Sequence, residues 1–155
     1  MTAGKILVAE DEGIYLLKLT GDVRMTLCAS LNSYMEAIFQ SSNVEDVIID
    51  LLNAEGVDST TLGLLAKLAI HCEKHYSIKP TVFCMNEGIY RILISMGLED
   101  VFDIVRESPE LLDNLEELDA ISADVEQLRQ QVLEAHRLLS MLNNENQKEL
   151  VDLIH

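Results

Sequence analysis

The chain has 155 residues, 48% of them apolar and 25% charged, which is typical of one globular domain and excludes a disordered chain. Its 27 acidic and 11 basic side chains give a formal net charge of −16, which disfavours nucleic acid and anionic membranes as partners and favours a basic protein surface. No apolar run reaches the roughly 18 residues of a membrane span, and the chain starts without the apolar region of a signal peptide, so we expect a cytoplasmic protein.

The first third of the chain predicts a β-hairpin followed by a helix. Residues 5–10 and 14–20 have the apolar content of strands, and Asp11-Glu12-Gly13 between them has the composition of a tight turn. Gly21 is expected to end the second strand. Apolar side chains then recur at helical spacing from Leu27 to Phe39, which predicts the first helix.

The next part alternates strands and helices. Residues 44–52 predict a strand covered on both faces, residues 53–57 a loop, and residues from 58 onward a leucine-rich helix. A strand over 81–85, a helix capped by Asn86 and stopped by Gly97, and a strand over 101–105 follow, with another helix after Pro109. The order β-β-α-β-α-β-α-β predicts an α/β fold in which helices pack on a mixed sheet, as one domain over residues 1–117.

Residues 118–155 predict a helical extension with a heptad pattern. Its apolar positions alternate in steps of three and four, namely at Leu118, Ile121, Val125, Leu128, Val132, Ala135, Leu139 and Leu142. Asn143-Asn144-Glu145-Asn146 interrupts the pattern before a short final helix. Such a stripe can dimerise as a coiled coil or fold back on the α/β body, and the pattern alone leaves both open.

The segment from Val47 to Leu65 carries the strongest functional signal. A buried strand and a loop deliver Asp58 and Ser59 to the first turn of a helix, where Ser59 is a natural N-cap. The same helix end is a favourable place for a phosphate, because unpaired N–H groups and the helix dipole stabilise negative charge. A phosphoryl group on Ser59 would add roughly −1.5 to −2 charges and expel a partner docked there. Ser59 is therefore either a cap alone or a phosphorylation site.

The pattern D-S-T-x-L-G, which opens the leucine-rich helix at Asp58, resembles the signature of STAS-domain anti-sigma-factor antagonists of the SpoIIAA and RsbV type, and the chain is similar to their HsbA-like subgroup. Leu19-Thr20-Gly21-Asp22-Val23 and Met96-Gly97-Leu98 are further matches, and the resemblance spans about residues 5–115. It implies a STAS-like sheet and phosphorylation of Ser59. The docking surface that it implies is framed by Asp58, Thr60, Thr61 and Asp22. The chain departs from the family pattern at Thr61, where Gly is usual, and at Arg24, where an acidic residue is frequent.

The resemblance also implies a partner switch without catalysis by the chain itself. The unphosphorylated protein binds an anti-sigma factor and frees a sigma factor. A serine kinase, often the anti-sigma factor itself, phosphorylates Ser59 and breaks the complex, and a PP2C-type phosphatase restores it. No cofactor or metal is expected.

Other functions make distinct demands on the sequence. A constitutive adaptor would dimerise through the C-terminal helix and use Ser59 only as a cap, so Ser59→Asp would leave partner binding unchanged. A receiver domain would need an acidic pair and a phosphorylatable Asp50 around one magnesium ion, with Lys79 reaching the phosphate. The separation of 29 positions between Asp50 and Lys79 leaves too little chain for two βα units. A serine hydrolase would need a G-x-S-x-G turn and a histidine base, and the sequence nominates neither.

Cysteine and histidine spacing gives little sign of a metal site. Cys28, Cys72 and Cys84 are odd in number and contain no CxxC pair, so we expect buried free thiols. His71 and His75 stand four residues apart, a spacing that can present two ligands on one helix face. No third ligand is evident, and we expect exposed helix histidines.

Overall fold

The computed structural model describes residues 2–107, 115–118 and 125–142 and has the α/β architecture expected from the sequence. Its helices are α1 (Cys28–Phe39), α2 (Ser59–Tyr76), α3 (Glu87–Ser95) and α4 (Val125–Ser140). Its strands are β1 (Lys5–Asp11), β2 (Ile14–Val23), β3 (Asp46–Asp50), β4 (Ala54–Val57), β5 (Thr81–Phe83), β6 (Asp103–Val105) and β7 (Glu116–Glu117). The helix expected after Pro109 and the short final helix lie outside the described residues.

The seven strands found in the described residues form one mixed sheet. Their order is β6-β5-β3-β2-β1-β7, and β4 pairs with the end of β2. β1 runs antiparallel to β2 and β7, whereas β2, β3, β5 and β6 are parallel neighbours. In this register Ile49 of β3 lies between Leu17 of β2 and Val82 of β5, and all three are buried. The prediction of helices packed on a mixed sheet is confirmed.

The expected β-hairpin is present at the start of the chain. Glu12 and Gly13 both have positive φ, 49° and 86°, which is the backbone twist that two-residue hairpin turns prefer. The Glu10 carboxylate accepts the Gly13 N–H at 3.0 Å and holds the turn from the side. The sequence therefore predicted both the pairing of β1 with β2 and its turn.

Two predicted boundaries next to this hairpin are wrong. β2 does not end at Gly21 but continues to Val23, and residues 54–57, expected in a loop, form β4 parallel to it. The register shifts between Gly21 and Asp22, where Gly21 has φ 71° and its N–H bonds the Asn53 carbonyl at 3.0 Å. A β-bulge at this position accommodates one extra residue in the strand. The glycine therefore bends β2 but does not end it.

Helix α2 is buried on every side near its beginning. Residues 60–66 are all buried, although a helix packed on one face exposes side chains within each turn. Its inner face contacts the sheet and α1, and its outer face is covered by α4. Residues 60–66 of α2 therefore lie inside the molecule, whereas Ser59 at its first position is half-buried.

Helix α4 folds back on the α/β body in the single chain. Ala135 and Leu139 of the heptad stripe are fully buried, whereas Val125 at the start of the helix is 86% exposed. The fully buried positions of the heptad stripe in α4 thus lie in the second half of the helix. A coiled-coil dimer stays a prediction. No helix in the described ranges is both long and apolar enough to cross a membrane.

Candidate functional site at the start of helix α2

Asp58, and not Ser59, caps helix α2. One oxygen of its carboxylate accepts the Thr61 N–H at 2.9 Å and the Thr61 hydroxyl at 2.8 Å. The other oxygen accepts the Met25 N–H at 2.6 Å. The expectation that Ser59 is the N-cap is therefore wrong, because the longer acidic side chain one position earlier reaches the third helical N–H first. The Ser59 hydroxyl is left free for another contact.

That contact is with His136 of α4. Ser59 Oγ lies 2.9 Å from His136 Nε2, and which atom donates depends on the tautomer of the ring. His136 is 8% exposed, and its burial lowers its pKa while Asp58 acts weakly in the opposite direction. Burial therefore favours the neutral form of the ring. Sequence analysis missed His136, since a contact across 77 positions leaves no trace in a local pattern.

The face of α2 that α4 covers is formed by Ser59, Gly63 and Lys67, which stand four residues apart and thus share one face. A Cβ atom at Gly63 would lie 2.4 Å from the Cβ of Ala135, so the two helices touch at their backbones. Lys67 Nζ lies 3.0 Å from a carboxylate oxygen of Glu134 and closes the far end of the contact. We call Ser59, Gly63 and Lys67 the covered face.

The predicted docking residues occupy two different environments. Thr60 and Thr61 are 4% and 0% exposed, and the Thr61 hydroxyl is bound to Asp58. Asp22 is half-buried, and its carboxylate accepts the Nε–H of the exposed Arg24 at 2.9 Å. The threonines thus support the site from beneath and the ion pair stands beside it. A direct contact of these residues with a partner stays a prediction.

The side chains that a receiver would require are not brought together. Asp50 is fully buried, where it accepts the Leu52 N–H at 2.8 Å and faces Lys18 Nζ at 3.4 Å. Lys79 instead lies 3.7 Å from Asp103. Asp50 thus has an internal structural role.

The two histidines of α2 form an aromatic stack. The His71 ring lies 4.0 Å from that of Phe39 and 4.2 Å from that of His75, and burial lowers the pKa of His71. His75 is exposed and His71 half-buried, so the expectation of two exposed histidines is correct only for His75. Among the described residues, no group of three or more potential ligands could hold a metal ion.

Comparison with known proteins identifies the fold and the family. Residues 5–117 match the model of the STAS domain, and the chain belongs to this family. A solved structure similar to this chain is that of an anti-sigma factor antagonist from Mycobacterium paratuberculosis, with 22% sequence identity and a TM-score of 0.56 over 66% of this chain and 85% of that one. No curated protein matches the chain. Helix α4 and His136 lie beyond the residues that the family model matches.

Proposed function

We propose that this protein is an anti-sigma-factor antagonist in a phosphorylation-controlled partner switch, with Ser59 as the phosphorylated residue. Its membership in the STAS family supports this function, as does its similarity to a protein described as an anti-sigma factor antagonist. The unphosphorylated form binds an anti-sigma factor that is also a serine kinase, and a PP2C-type phosphatase reverses the modification. Three buried free cysteines, Cys28, Cys72 and Cys84, agree with a reducing cytoplasm.

The observation that carries the proposal is that Asp58 caps α2 while the Ser59 hydroxyl takes no part in the cap. Asp58 accepts the first-turn N–H of Thr61 and the N–H of Met25, so the helix start is stable without the serine. Ser59 can therefore be modified without loss of the cap. A phosphate on its oxygen gains from the helix dipole, and the fold of the domain is retained.

The modification acts on the partner through charge and desolvation. A phosphoserine carries roughly −1.5 to −2 charges, and here it stands beside the carboxylate of Asp58. A partner that closes over this surface would bury the phosphate without a matching cation, which is strongly unfavourable. Unphosphorylated protein therefore binds the anti-sigma factor, and phosphorylated protein releases it.

Mass spectrometry of the protein isolated from its native cells tests the proposal. We expect one phosphate on Ser59, its absence in Ser59→Ala, and its persistence in the control Ser42→Ala, which changes an exposed loop serine. Capture of an anti-sigma factor should be retained by Ser59→Ala and lost by Ser59→Asp. Absence of phosphate from Ser59 under all growth conditions would contradict the switch, and equal capture by both variants would favour the constitutive adaptor.

A further inference from the structure

We propose that α4 is an intramolecular cover of Ser59, and that docking of α4 and phosphorylation of Ser59 exclude each other. The contact between α4 and the covered face carries this inference, and its regulatory meaning rests on the proposed function. Because α4 lies outside the STAS domain match, this cover is an addition to the domain rather than one of its own elements.

The position of His136 excludes a phosphoryl group. Its Nε2 lies 2.9 Å from Ser59 Oγ, so the ring occupies space next to the oxygen that a phosphorus atom and its three further oxygens would need. A kinase must also bring its phosphate donor in line with the same oxygen. His136 is 8% exposed, so neighbouring atoms enclose most of the residue.

The backbone contact at Gly63 prevents α4 from shifting slightly to make room. A single added carbon at Gly63 would stand 2.4 Å from the carbonyl oxygen of Ala135 and 2.5 Å from its Cα. Close-packed interfaces of this kind exchange between distinct arrangements and deform little. Space at Ser59 therefore requires that α4 leave the covered face as a unit.

The charges around the site oppose a phosphate beneath the docked helix. Burial favours the neutral form of His136, and the carboxylate of Asp58 stands directly before Ser59 as the cap of α2. Arg24, beside the site, is already bound to Asp22. Lys67 stands eight residues along the helix from Ser59, about 12 Å at the usual helical rise, and is already bound to Glu134. A phosphate buried there would face cations that are already paired with carboxylates, and it would favour the undocked state.

By thermodynamic linkage the exclusion works in both directions. Phosphorylation favours release of α4, and release of α4 exposes Ser59 together with Gly63 and Lys67. The docked chain then takes no part in the switch, because neither a kinase nor a partner that recognises Ser59 can bind there. Release also frees Ala135 and Leu139 of α4 for a second contact.

Site-specific incorporation of phosphoserine into the full chain tests one direction. We compare amide hydrogen exchange in protein carrying phosphoserine at Ser59, at the exposed Ser42, and at neither position. Phosphate at Ser59 should lower the protection of α4 amides by about tenfold or more, within the usual range of coupling energies, with β1–β3 unchanged. Phosphate at Ser42 should have no effect. Unchanged or increased protection of α4 in the Ser59 form would overturn the proposal.

Thiol labelling tests the other direction without any kinase. In a Ser59→Cys background the introduced thiol reports access to the site, because Cys28, Cys72 and Cys84 are buried. Adding Ala135→Glu places a charge in the helix contact, whereas the matched control Val125→Glu changes a residue that is 86% exposed. We expect labelling to accelerate about tenfold or more with the first change only.

Equal labelling rates in the two variants would refute the cover. The labelling result does not depend on the proposed function. Even if Ser59 is never phosphorylated in cells, release of α4 by Ala135→Glu can still accelerate labelling at position 59.

Discussion

Gly63→Ala is expected to release α4 while the STAS domain stays folded. The added methyl group faces Ala135, whose Cβ, carbonyl oxygen and Cα would all lie 2.4 to 2.5 Å away. These atoms belong to the backbone or the first side-chain carbon of α4, so no flexible side chain can move aside. The nearest clash that the substitution creates is therefore with α4.

The magnitude follows from two opposing effects. Replacing glycine by alanine inside α2 stabilises that helix by about 0.8–1.0 kcal/mol. Overpacking at the contact with Ala135 costs about 1–3 kcal/mol if α4 stays docked. The helix gain is present whether or not α4 is docked, so only the overpacking cost changes the docking equilibrium, which should weaken by about 5- to 150-fold.

Hydrogen exchange of α4 amides, read with urea unfolding of the whole chain, measures both effects. The α4 amides should lose protection by that factor, while the amides of β1–β3 remain protected. Gly88→Ala in α3 is the control, since its added carbon approaches only Asn86 Oδ1, at 3.2 Å. Exchange of α4 in Gly63→Ala at the wild-type rate would show that the close contact between α2 and α4 does not exist in solution.

Three further predictions concern the same region. Asp58→Ala should lower the free energy of unfolding by about 0.5–2 kcal/mol in urea titrations, because the cap of α2 is lost. Asp103→Ala, on an exposed strand position, should change it far less. Since burial lowers the pKa of His136, docking of α4 is favoured above the free histidine value of about 6.5 and weakens as the pH falls below it. Hydrogen exchange corrected for intrinsic rates should show this loss, and His136→Gln should remove it. Burial raises the pKa of Cys28 to about 12 and of Cys72 to about 11, so neither thiol should react with a disulfide reagent at about pH 8 before unfolding. Rapid reaction of either in native protein would contradict their burial.

Local sequence patterns predicted the elements whose causes are local. The β-hairpin follows from apolar strands around a turn that tolerates positive φ at Glu12 and Gly13. The start of α3 follows from Asn86, whose side chain accepts the Ile89 N–H at 3.0 Å, and its end from Gly97 with φ 77°. Each signal acts within a few residues, so it can be read without the tertiary fold.

The wrong predictions concern positions where more than one residue or pairing could fulfil the same structural role. Gly21 resembles a strand end, yet the pairing of β2 with β4 carries the strand through it. Ser59 resembles an N-cap, yet Asp58 also satisfies that role, and it additionally binds the Met25 N–H from a distant segment. A local pattern shows that each residue is able to act, whereas the tertiary contacts decide which one does.

The sequence by itself determined the STAS resemblance, the α/β class and the placement of Asp58 and Ser59 at the start of a helix. It also identified the heptad stripe but left its partner open. Only the tertiary structure decided that Ala135 packs on Gly63 and that His136 reaches Ser59. The physical reason is that the hydrophobic effect is non-directional. An apolar stripe therefore shows that a helix face must be buried, but it does not show which surface buries it. The close fit of two small residues and one hydrogen bond provides that partner here.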